Sequence, residues 1–180
     1  MNGSGMTSLL RCLLGFIHPS QGDAFIFGEK PVPGNLQGRV GCLFQNPQRQ
    51  IFETTFFDEV AFPLKRLGRN RTDLSEKVME TLELCSVGKL SGLSPHKLSY
   101  GQKHLVALAC AIAHRPELLM LDDPFAGLDP KRAEAVMGLL MHLNEEQGTT
   151  VVWTSHDPGA MKEWAHFSLN VGGGRVAAHG

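Results

Sequence analysis

The chain has 180 residues, of which 42% are apolar and 19% are charged, as is typical of a folded domain rather than a disordered segment. Its formal net charge of −1 gives no electrostatic reason to expect nucleic acid or an anionic membrane surface as a partner. The four cysteines are scattered without a C-x-x-C pair, which disfavours a zinc site or a disulfide framework and indicates a reducing, cytosolic compartment.

The first half of the chain predicts one helix, two short strands and a long helical segment. These elements are expected at residues 7–17 (helix), 24–27 and 40–44 (strands) and 58–90 (largely helical). In the long segment Val78, Leu82 and Cys85 recur at helical spacing, and Gly68 and Gly88 are expected to interrupt the helices. Residues 58–98 are therefore interpreted as a helical insertion within the domain.

The second half alternates helices with apolar strands. Ser99 begins a helix in which Leu105, Leu108 and Ile112 share one face, and Pro116 closes it. The later elements are a buried strand at residues 117–121, a helix at 133–144 that Gly148 ends, a strand at 150–154, and a hairpin that pairs 167–171 with 175–178. This alternation predicts an α/β domain in which helices and a sheet form layers.

An acidic pair, Asp122 and Asp123, follows the predicted buried strand. Open α/β sheets bind ligands at the carboxyl ends of their strands, so both carboxylates fall where a ligand is expected. Asp122 is suited to hold Mg²⁺, and Asp123 would then orient or deprotonate a reacting water. Taken alone, the pair fits a solvated loop better, because Asp-Asp-Pro is common in turns.

The start of the chain is a glycine-rich turn that leads directly into an apolar helix. It consists of Asn2, Gly3, Ser4, Gly5, Met6, Thr7 and Ser8. Glycines allow successive backbone N–H groups and the helix start to face a phosphate, and Thr7 stands where a phosphate-binding loop places its Mg²⁺-coordinating hydroxyl. Such a loop has lysine immediately before that hydroxyl, whereas this chain has Met6.

Three further polar positions follow predicted strands or begin a helix. In Leu98–Gln102, Ser99 is a good helix N-cap and Gly101 lets a phosphate approach the backbone, although an ordinary capped helix would look the same. Gln45 and His156 each follow a strand, where strands deliver ligand contacts, although either could be an ordinary residue at a strand end.

Together these motifs resemble the nucleotide-binding subunit of ABC transporters, and the resemblance covers nearly the whole chain. It assigns residues 2–8 to the Walker A loop, Gln45 to the Q-loop, residues 98–102 to the signature sequence, residues 118–122 to the Walker B strand, Asp123 to the catalytic glutamate, residues 127–129 to the D-loop and His156 to the switch histidine. The stretches FQNPQRQIF and DEVAFPL resemble the energy-coupling-factor subgroup, which serves cobalt, nickel and vitamins.

This resemblance implies a P-loop-type parallel sheet layered with helices over residues 1–180, with the insertion at about residues 58–98. In the family two subunits dimerise head to tail, and each ATP lies between the Walker loop of one and the signature helix of the other. The implied cofactors are ATP and Mg²⁺. The implied partners are a second copy or another ATPase subunit and an integral membrane subunit at the cytoplasmic face of the cell membrane. The expected function is to couple ATP hydrolysis to import of a metal ion or vitamin.

The resemblance also implies the roles of the site residues. The catalytic residues would be Asp123, His156 and Gln45. The Mg²⁺ ligands would be Thr7, Gln45 and Asp122. The nucleotide contacts would be residues 2–8 together with Ser99, Gly101, Gln102 and Asp129.

The chain departs from the family pattern in three ways. Met6 removes a charge-assisted contact worth about 1.5–3 kcal/mol, or roughly tenfold to a hundredfold in affinity. Asp123 is one methylene shorter than glutamate, and a displacement of ~1 Å can slow a positioned reaction about a hundredfold. The chain begins inside the Walker A loop, so the strand that feeds this loop and the sheet before it are expected to be missing.

Two alternatives stay open. The chain could be a non-hydrolysing or regulatory subunit whose Ser99 and Gly101 complete the ATP site of a partner, or it could be a truncated, non-functional remnant. A soluble P-loop enzyme such as a kinase is disfavoured, because the signature helix would then have no purpose. Tyr100 replaces the usual small residue of the signature and is expected to be tolerated.

Overall fold

The computed structural model describes residues 5–68, 71–156, 164–172 and 175–179. The chain divides into two compact units, a terminal unit of Met1–Gln37 with Thr154–Gly180 and a central unit of Gly38–Trp153. The single domain over residues 1–180 stays a prediction. In chain order the elements are α1 (Met6–Leu13), α2 (Pro33–Leu36), β1 (Val40–Leu43), α3 (Phe56–Arg66), α4 (Arg71–Leu84), α5 (Tyr100–Ile112), β2 (Leu118–Asp122), α6 (Pro130–Gln147), β3 (Thr150–Thr154), β4 (Ser168–Gly172) and β5 (Arg175–His179).

A three-stranded sheet of order β1-β2-β3 organises the central unit. β1 and β2 pair in parallel, with Val40 opposite Leu118 and Leu43 opposite Leu121. All five residues of β2 are buried, as expected of a parallel strand covered by helices on both faces. The predicted strands at residues 40–44, 117–121 and 150–154 are therefore confirmed, with differences of at most one residue at their ends.

Helices α3 to α6 supply most of the core around this sheet. α3 packs on α4 and α5, and α5 packs on β1. Phe56, Val60 and Leu64 of α3 are fully buried, as are Val78 and Leu82 of α4, which confirms the helical spacing read from the sequence. Each such side chain stabilises the fold by about 1.5–3 kcal/mol relative to exposure. No described helix is both long enough and apolar enough to span a bilayer.

The ends of the later helices show why their lengths differ from expectation. α6 begins one turn earlier than predicted because Pro130 fits the first helical position and Asp129 caps it. It ends as predicted at Gly148, whose φ of +69° is the left-handed conformation of a helix C-cap. α5 ends at Ile112, before the expected stop at Pro116.

Two predictions for the terminal unit are wrong. The helix expected at residues 7–17 ends at Leu13, because Gly15 takes a left-handed conformation at φ +72°. Only glycine fits at this position, since an added Cβ would lie 2.5 Å from the carbonyl oxygen of Pro31. No strand forms at residues 24–27. Phe27 and Gly28 have φ of +54° and +79°, which makes a two-residue turn joined only by a bridge between Ile26 and Glu29. The predicted hairpin is confirmed as the antiparallel pair β4 and β5.

Candidate functional site

The acidic pair lies at the carboxyl end of β2. Asp122 is the last residue of the strand and is only 3% exposed. Asp123 has a φ of +54°, a left-handed conformation that costs a non-glycine residue about 1–2 kcal/mol and that aspartate tolerates better than most. The chain therefore turns sharply at Asp123, whose carbonyl oxygen accepts a hydrogen bond from Ala126 N at 3.1 Å.

Gln45 and Asp123 follow the carboxyl ends of two neighbouring strands, β1 and β2. Leu43 is the last residue of β1 and lies opposite Leu121, the residue before the end of β2. Gln45 and Asp123 each lie two residues further on, and neighbouring strands are about 4.8 Å apart. The loop after β1 is held close to its strand by Gln50, whose Oε1 accepts from Phe44 N at 2.8 Å and whose Nε2 donates to Cys42 O at 3.3 Å. Gln45, Asp122 and Asp123 therefore all lie at or just after the carboxyl ends of two neighbouring strands, and their common role at a ligand stays a prediction.

The signature stretch begins α5 with a reciprocal cap. Ser99 Oγ accepts from Gln102 N at 3.3 Å, and Gln102 Oε1 accepts from Ser99 N at 3.0 Å. This confirms Ser99 as the N-cap and shows that the Gln102 side chain is used within the helix start. The amides of Tyr100 and Gly101 belong to the first turn, where no carbonyl one turn earlier can accept from them. The hydroxyl proton of Ser99 is not used by the cap.

The D-loop lies beside this helix start. Asp129 caps α6 by accepting from Arg132 N at 3.0 Å, and its second oxygen pairs with Arg132 Nη1 at 3.0 Å. The same guanidinium lies over Gly101, where an added Cβ would be 3.4 Å from Nη1. The Asp129 carboxylate therefore has a structural role, and its contact with a nucleotide stays a prediction.

Tyr100, which the sequence suggested only as a tolerated replacement in the signature, is a functional candidate in the structure. Its hydroxyl donates to the carbonyl oxygen of Gln45 at 3.0 Å. Its ring lies against Gly127 of the D-loop, where an added Cβ would be 2.9 Å from Tyr100 Cε1. Gln45 and Tyr100 are 55 residues apart, and no local pattern connects them.

His104 lies one turn after Tyr100 and is fully buried. Within the described residues neither of its ring nitrogens has a well-formed hydrogen bond. Burial lowers the pKa of His104 and outweighs the opposite effect of the Pro124 backbone, which can act only through its carbonyl because proline has no N–H. The imidazole is therefore neutral at physiological pH.

A buried carboxylate holds the loop that precedes α3. Glu59 is 3% exposed, and its Oε2 accepts from Phe52 N at 2.9 Å and from Glu53 N at 2.7 Å. Burial raises the pKa of Glu59 despite these two hydrogen bonds. The loop presents Phe52, which is 64% exposed and packs edge-on against Phe62 with ring centroids 4.8 Å apart. An exposed phenylalanine on a firmly bonded loop therefore packs against the half-buried Phe62 of α3.

The remaining predicted residues belong to the terminal unit. Met6 is the first residue of α1, directly after Gly5 at φ +88°, so Gly5 leads into a helix as predicted. Thr7 is half-buried in the first turn, and Ser8 is exposed. His156 follows β3 and is exposed. Asn2, Gly3 and Ser4 lie outside the described residues.

The chain matches a known family and several curated relatives. The family described as ABC transporter matches residues 1–126. An energy-coupling factor transporter ATP-binding protein of Carboxydothermus hydrogenoformans is 37% identical over 99% of this chain and 67% of that protein. A putative ABC transporter ATP-binding protein of Methanosarcina mazei is 35% identical over 99% of this chain and 56% of that protein. The chain therefore spans from about half to two thirds of these relatives.

Solved structures confirm the predicted fold. The structure of cbiO1 from Clostridium perfringens, part of the ABC transporter complex cbiONQ, has a TM-score of 0.86 at 27% identity and covers 98% of this chain and 72% of that chain. An ATP-binding cassette solved as a dimer in a post-hydrolysis state with ADP and Pi has a TM-score of 0.88 at 26% identity, covering 99% of this chain and 82% of that chain. Because the family match covers more than half of its length, this chain belongs to the ABC transporter family.

Proposed function

We propose that this chain is an ATP-binding subunit that couples ATP hydrolysis to import of a metal ion or a vitamin through a membrane partner. The observation that carries the proposal is the position of Gln45, Asp122 and Asp123 at the carboxyl ends of two neighbouring parallel strands, with the capped start of α5 in the same unit. The names of its relatives support the energy-coupling-factor type of importer. The dimeric state of a solved cassette supports a dimer of two ATPase subunits, either two copies or two different chains.

The residues present fit Mg²⁺ bound together with a nucleotide. Asp122 and Gln45 of the central unit offer carboxylate and amide oxygens, which are donors that Mg²⁺ prefers. The Thr7 hydroxyl is the third ligand that the family resemblance implies. Across the part of the chain that the structure describes, no three His, Cys, Asp or Glu side chains form a group that could hold a metal by themselves. Mg²⁺ would therefore take its other ligands from phosphate oxygens and water, and it would neutralise charge that develops on the phosphates.

The start of α5 would serve ATP that is bound mainly by the partner subunit. The Ser99 hydroxyl can donate to a phosphate oxygen while its oxygen still accepts from Gln102 N. The first-turn amide of Gly101 and the positive end of the helix dipole favour the same anion. Because the cap fixes the Ser99 rotamer before any ligand binds, little conformational entropy is lost on binding.

The other predicted roles concern ATP bound at this chain's own Walker A loop. Asp123 would orient or deprotonate the attacking water, and His156 would contact the γ-phosphate. The sharp turn at Asp123 sets the direction of its carboxylate, which has a shorter reach than glutamate would have. Residues 2–8 would hold the phosphates through backbone amides, without the lysine that Met6 replaces.

An apolar surface at the exposed Phe52 supports a membrane partner. Phe52 and Phe62 form an apolar surface beside the loop that follows Gln45, and Glu59 holds its backbone. Exposed aromatic side chains are enriched at protein interfaces. The subunit would then lie at the cytoplasmic face of the cell membrane, bound through this surface.

A second candidate function is favoured by the contrast between two helix starts. The start of α5 keeps its cap and its glycine, whereas the start of α1 carries the apolar Met6 in place of lysine. Such a subunit would hydrolyse little ATP itself and would complete the site of a partner.

ATP turnover distinguishes these two functions. The chain is measured alone and mixed with an ATPase subunit of the same transporter that retains the Walker lysine. Turnover by the chain alone that is lost in Asp123→Asn supports the catalytic subunit. Turnover that appears only in the mixture and is abolished by Ser99→Arg supports the donating subunit. Absence of turnover in both samples contradicts both functions.

A further inference from the structure

Tyr100 contacts two loops that are far apart in sequence. It is the first residue of α5, and its hydroxyl donates to the Gln45 carbonyl at 3.0 Å. Its ring edge lies where a side chain on Gly127 would lie, since an added Cβ would be 2.9 Å from Cε1 and 3.1 Å from Cδ1. One side chain therefore joins the Gln45 loop, the signature helix and the D-loop within a single subunit.

These contacts hold Tyr100 in one orientation. Gly127 has a φ of +71°, so its backbone already favours glycine, and the absence of a side chain lets the ring approach closely. His104, one turn later on the same face of α5, lies with its ring centroid 6.4 Å from that of Tyr100. His104 is fully buried, and burial lowers its pKa, so a neutral imidazole lies beside the tyrosine. The phenol is consequently directed at the Gln45 carbonyl.

We propose that Tyr100 is a positioning residue that makes the Gln45 loop, the start of the signature helix and the D-loop move as one body. The inference rests on the proposed function, because these loops matter together only in a nucleotide-binding subunit. A small residue at this position could make neither contact, so the three loops would be free to move separately. Tyr100 would thereby keep the Gln45 amide in place for Mg²⁺ while the Ser99–Gly101 backbone faces a partner.

Two substitutions separate the hydroxyl contact from the ring contact. Tyr100→Phe removes only the hydrogen bond to Gln45, whereas Tyr100→Ala also removes the ring from Gly127. Thr81→Val is the matched control, because Thr81 Oγ1 likewise donates to a backbone carbonyl, that of Lys77 at 2.7 Å, but lies within α4. All three are made in the full chain.

Amide hydrogen exchange is the first measurement, and it requires no nucleotide. In Tyr100→Phe we expect the amides of Phe44, Arg49 and Gln50, which are bonded within the Gln45 loop, to exchange about threefold to tenfold faster. In Tyr100→Ala the amide of Leu128, which is bonded to Phe125 O, should accelerate as well. Thr81→Val should change none of these four amides.

The second measurement is the increase in ATP affinity that Mg²⁺ causes, determined by calorimetry. In Tyr100→Phe the Gln45 amide is no longer held in place, so the gain in ATP affinity on adding Mg²⁺ should be about threefold to tenfold smaller than in the wild type. ATP affinity without Mg²⁺ should stay unchanged. A purely structural role of Tyr100 would lower both affinities together. Unchanged exchange at Phe44, Arg49 and Gln50 in Tyr100→Phe would overturn the inference. Absence of ATP binding by the wild-type chain would instead contradict the proposed function.

Discussion

Replacing Glu59 tests how the apolar surface at Phe52 is held. Its side chain is 3% exposed and accepts two backbone hydrogen bonds, at 2.9 Å from Phe52 N and 2.7 Å from Glu53 N. Glu59→Ala leaves both donors without this acceptor. Glu59→Gln keeps an oxygen that can accept both bonds and removes the charge.

The two substitutions should change the free energy of unfolding by different amounts, and Glu59→Gln should not lower it. An unsatisfied buried donor costs about 1–3 kcal/mol, so Glu59→Ala should lower the free energy of unfolding by roughly 2–4 kcal/mol, allowing for water that reaches the partly exposed loop. Burial raises the pKa of Glu59, and the nearby Glu53 charge acts in the same direction, so the ionised form is disfavoured in the folded state. Glu59→Gln should therefore match or exceed the stability of the wild type near pH 7.

The pH dependence follows from the same shift. A carboxyl whose folded pKa is raised contributes its full stability below the unfolded value of 4.5 and loses it as pH rises through the folded value. Between pH 4.5 and pH 7 the wild type should therefore lose free energy of unfolding relative to Glu59→Gln. Urea unfolding at both values, followed by tryptophan fluorescence, measures it. A glutamine variant that loses stability relative to wild type on going to pH 7 would refute this reasoning.

Three further changes test local features of the fold. Ser99→Ala removes the cap of α5 and should destabilise the chain by about 0.5–2 kcal/mol, measured by thermal unfolding, whereas Ser99→Asp should retain most of that stability. Gly148→Ala places a Cβ on a backbone with φ +69°, where no other atom lies within 4 Å, so the backbone strain alone should lower the free energy of unfolding by about 1–2 kcal/mol. An unchanged Tm would contradict the left-handed C-cap. A hydrogen bond from Thr55 and the charge of Lys65 lower the pKa of Asp58, so its contribution should be present above pH 3.8 and should disappear as pH falls below that value. Asp58→Asn should therefore flatten the acid limb of the stability profile, and an unaltered limb would show that Asp58 does not contribute to it.

Much of the fold follows from local patterns. The buried strand β2 is a short apolar run ending in acids, and the helical spacing of Val78 and Leu82 corresponds to fully buried positions. The strand predicted at residues 24–27 fails for a local reason that hydrophobicity does not reveal. There the apolar residues include Phe27, which takes a positive φ beside Gly28 and so forms a turn.

The functional site is only partly predictable, because its connections are long-range. The cap at Ser99 and the strand-end acids are visible in sequence, since each depends on neighbours within three residues. The hydrogen bond from Tyr100 to the Gln45 carbonyl joins positions 55 residues apart. Because every residue has a backbone carbonyl, the residue type at position 45 gives no sign of this bond. Glu59 likewise looks like an ordinary helix acid until its burial is known.

Calorimetric titration of the full chain with Mg²⁺ and ATP tests the central claim most directly. The account predicts weak binding by the wild type, because amides and helix dipole act without the lysine, and binding about tenfold to a hundredfold tighter in Met6→Lys. The control is Asp122→Asn, which should remove the Mg²⁺-dependent part in both backgrounds. Binding that is absent from the wild type and from Met6→Lys, with both chains folded, would contradict the account.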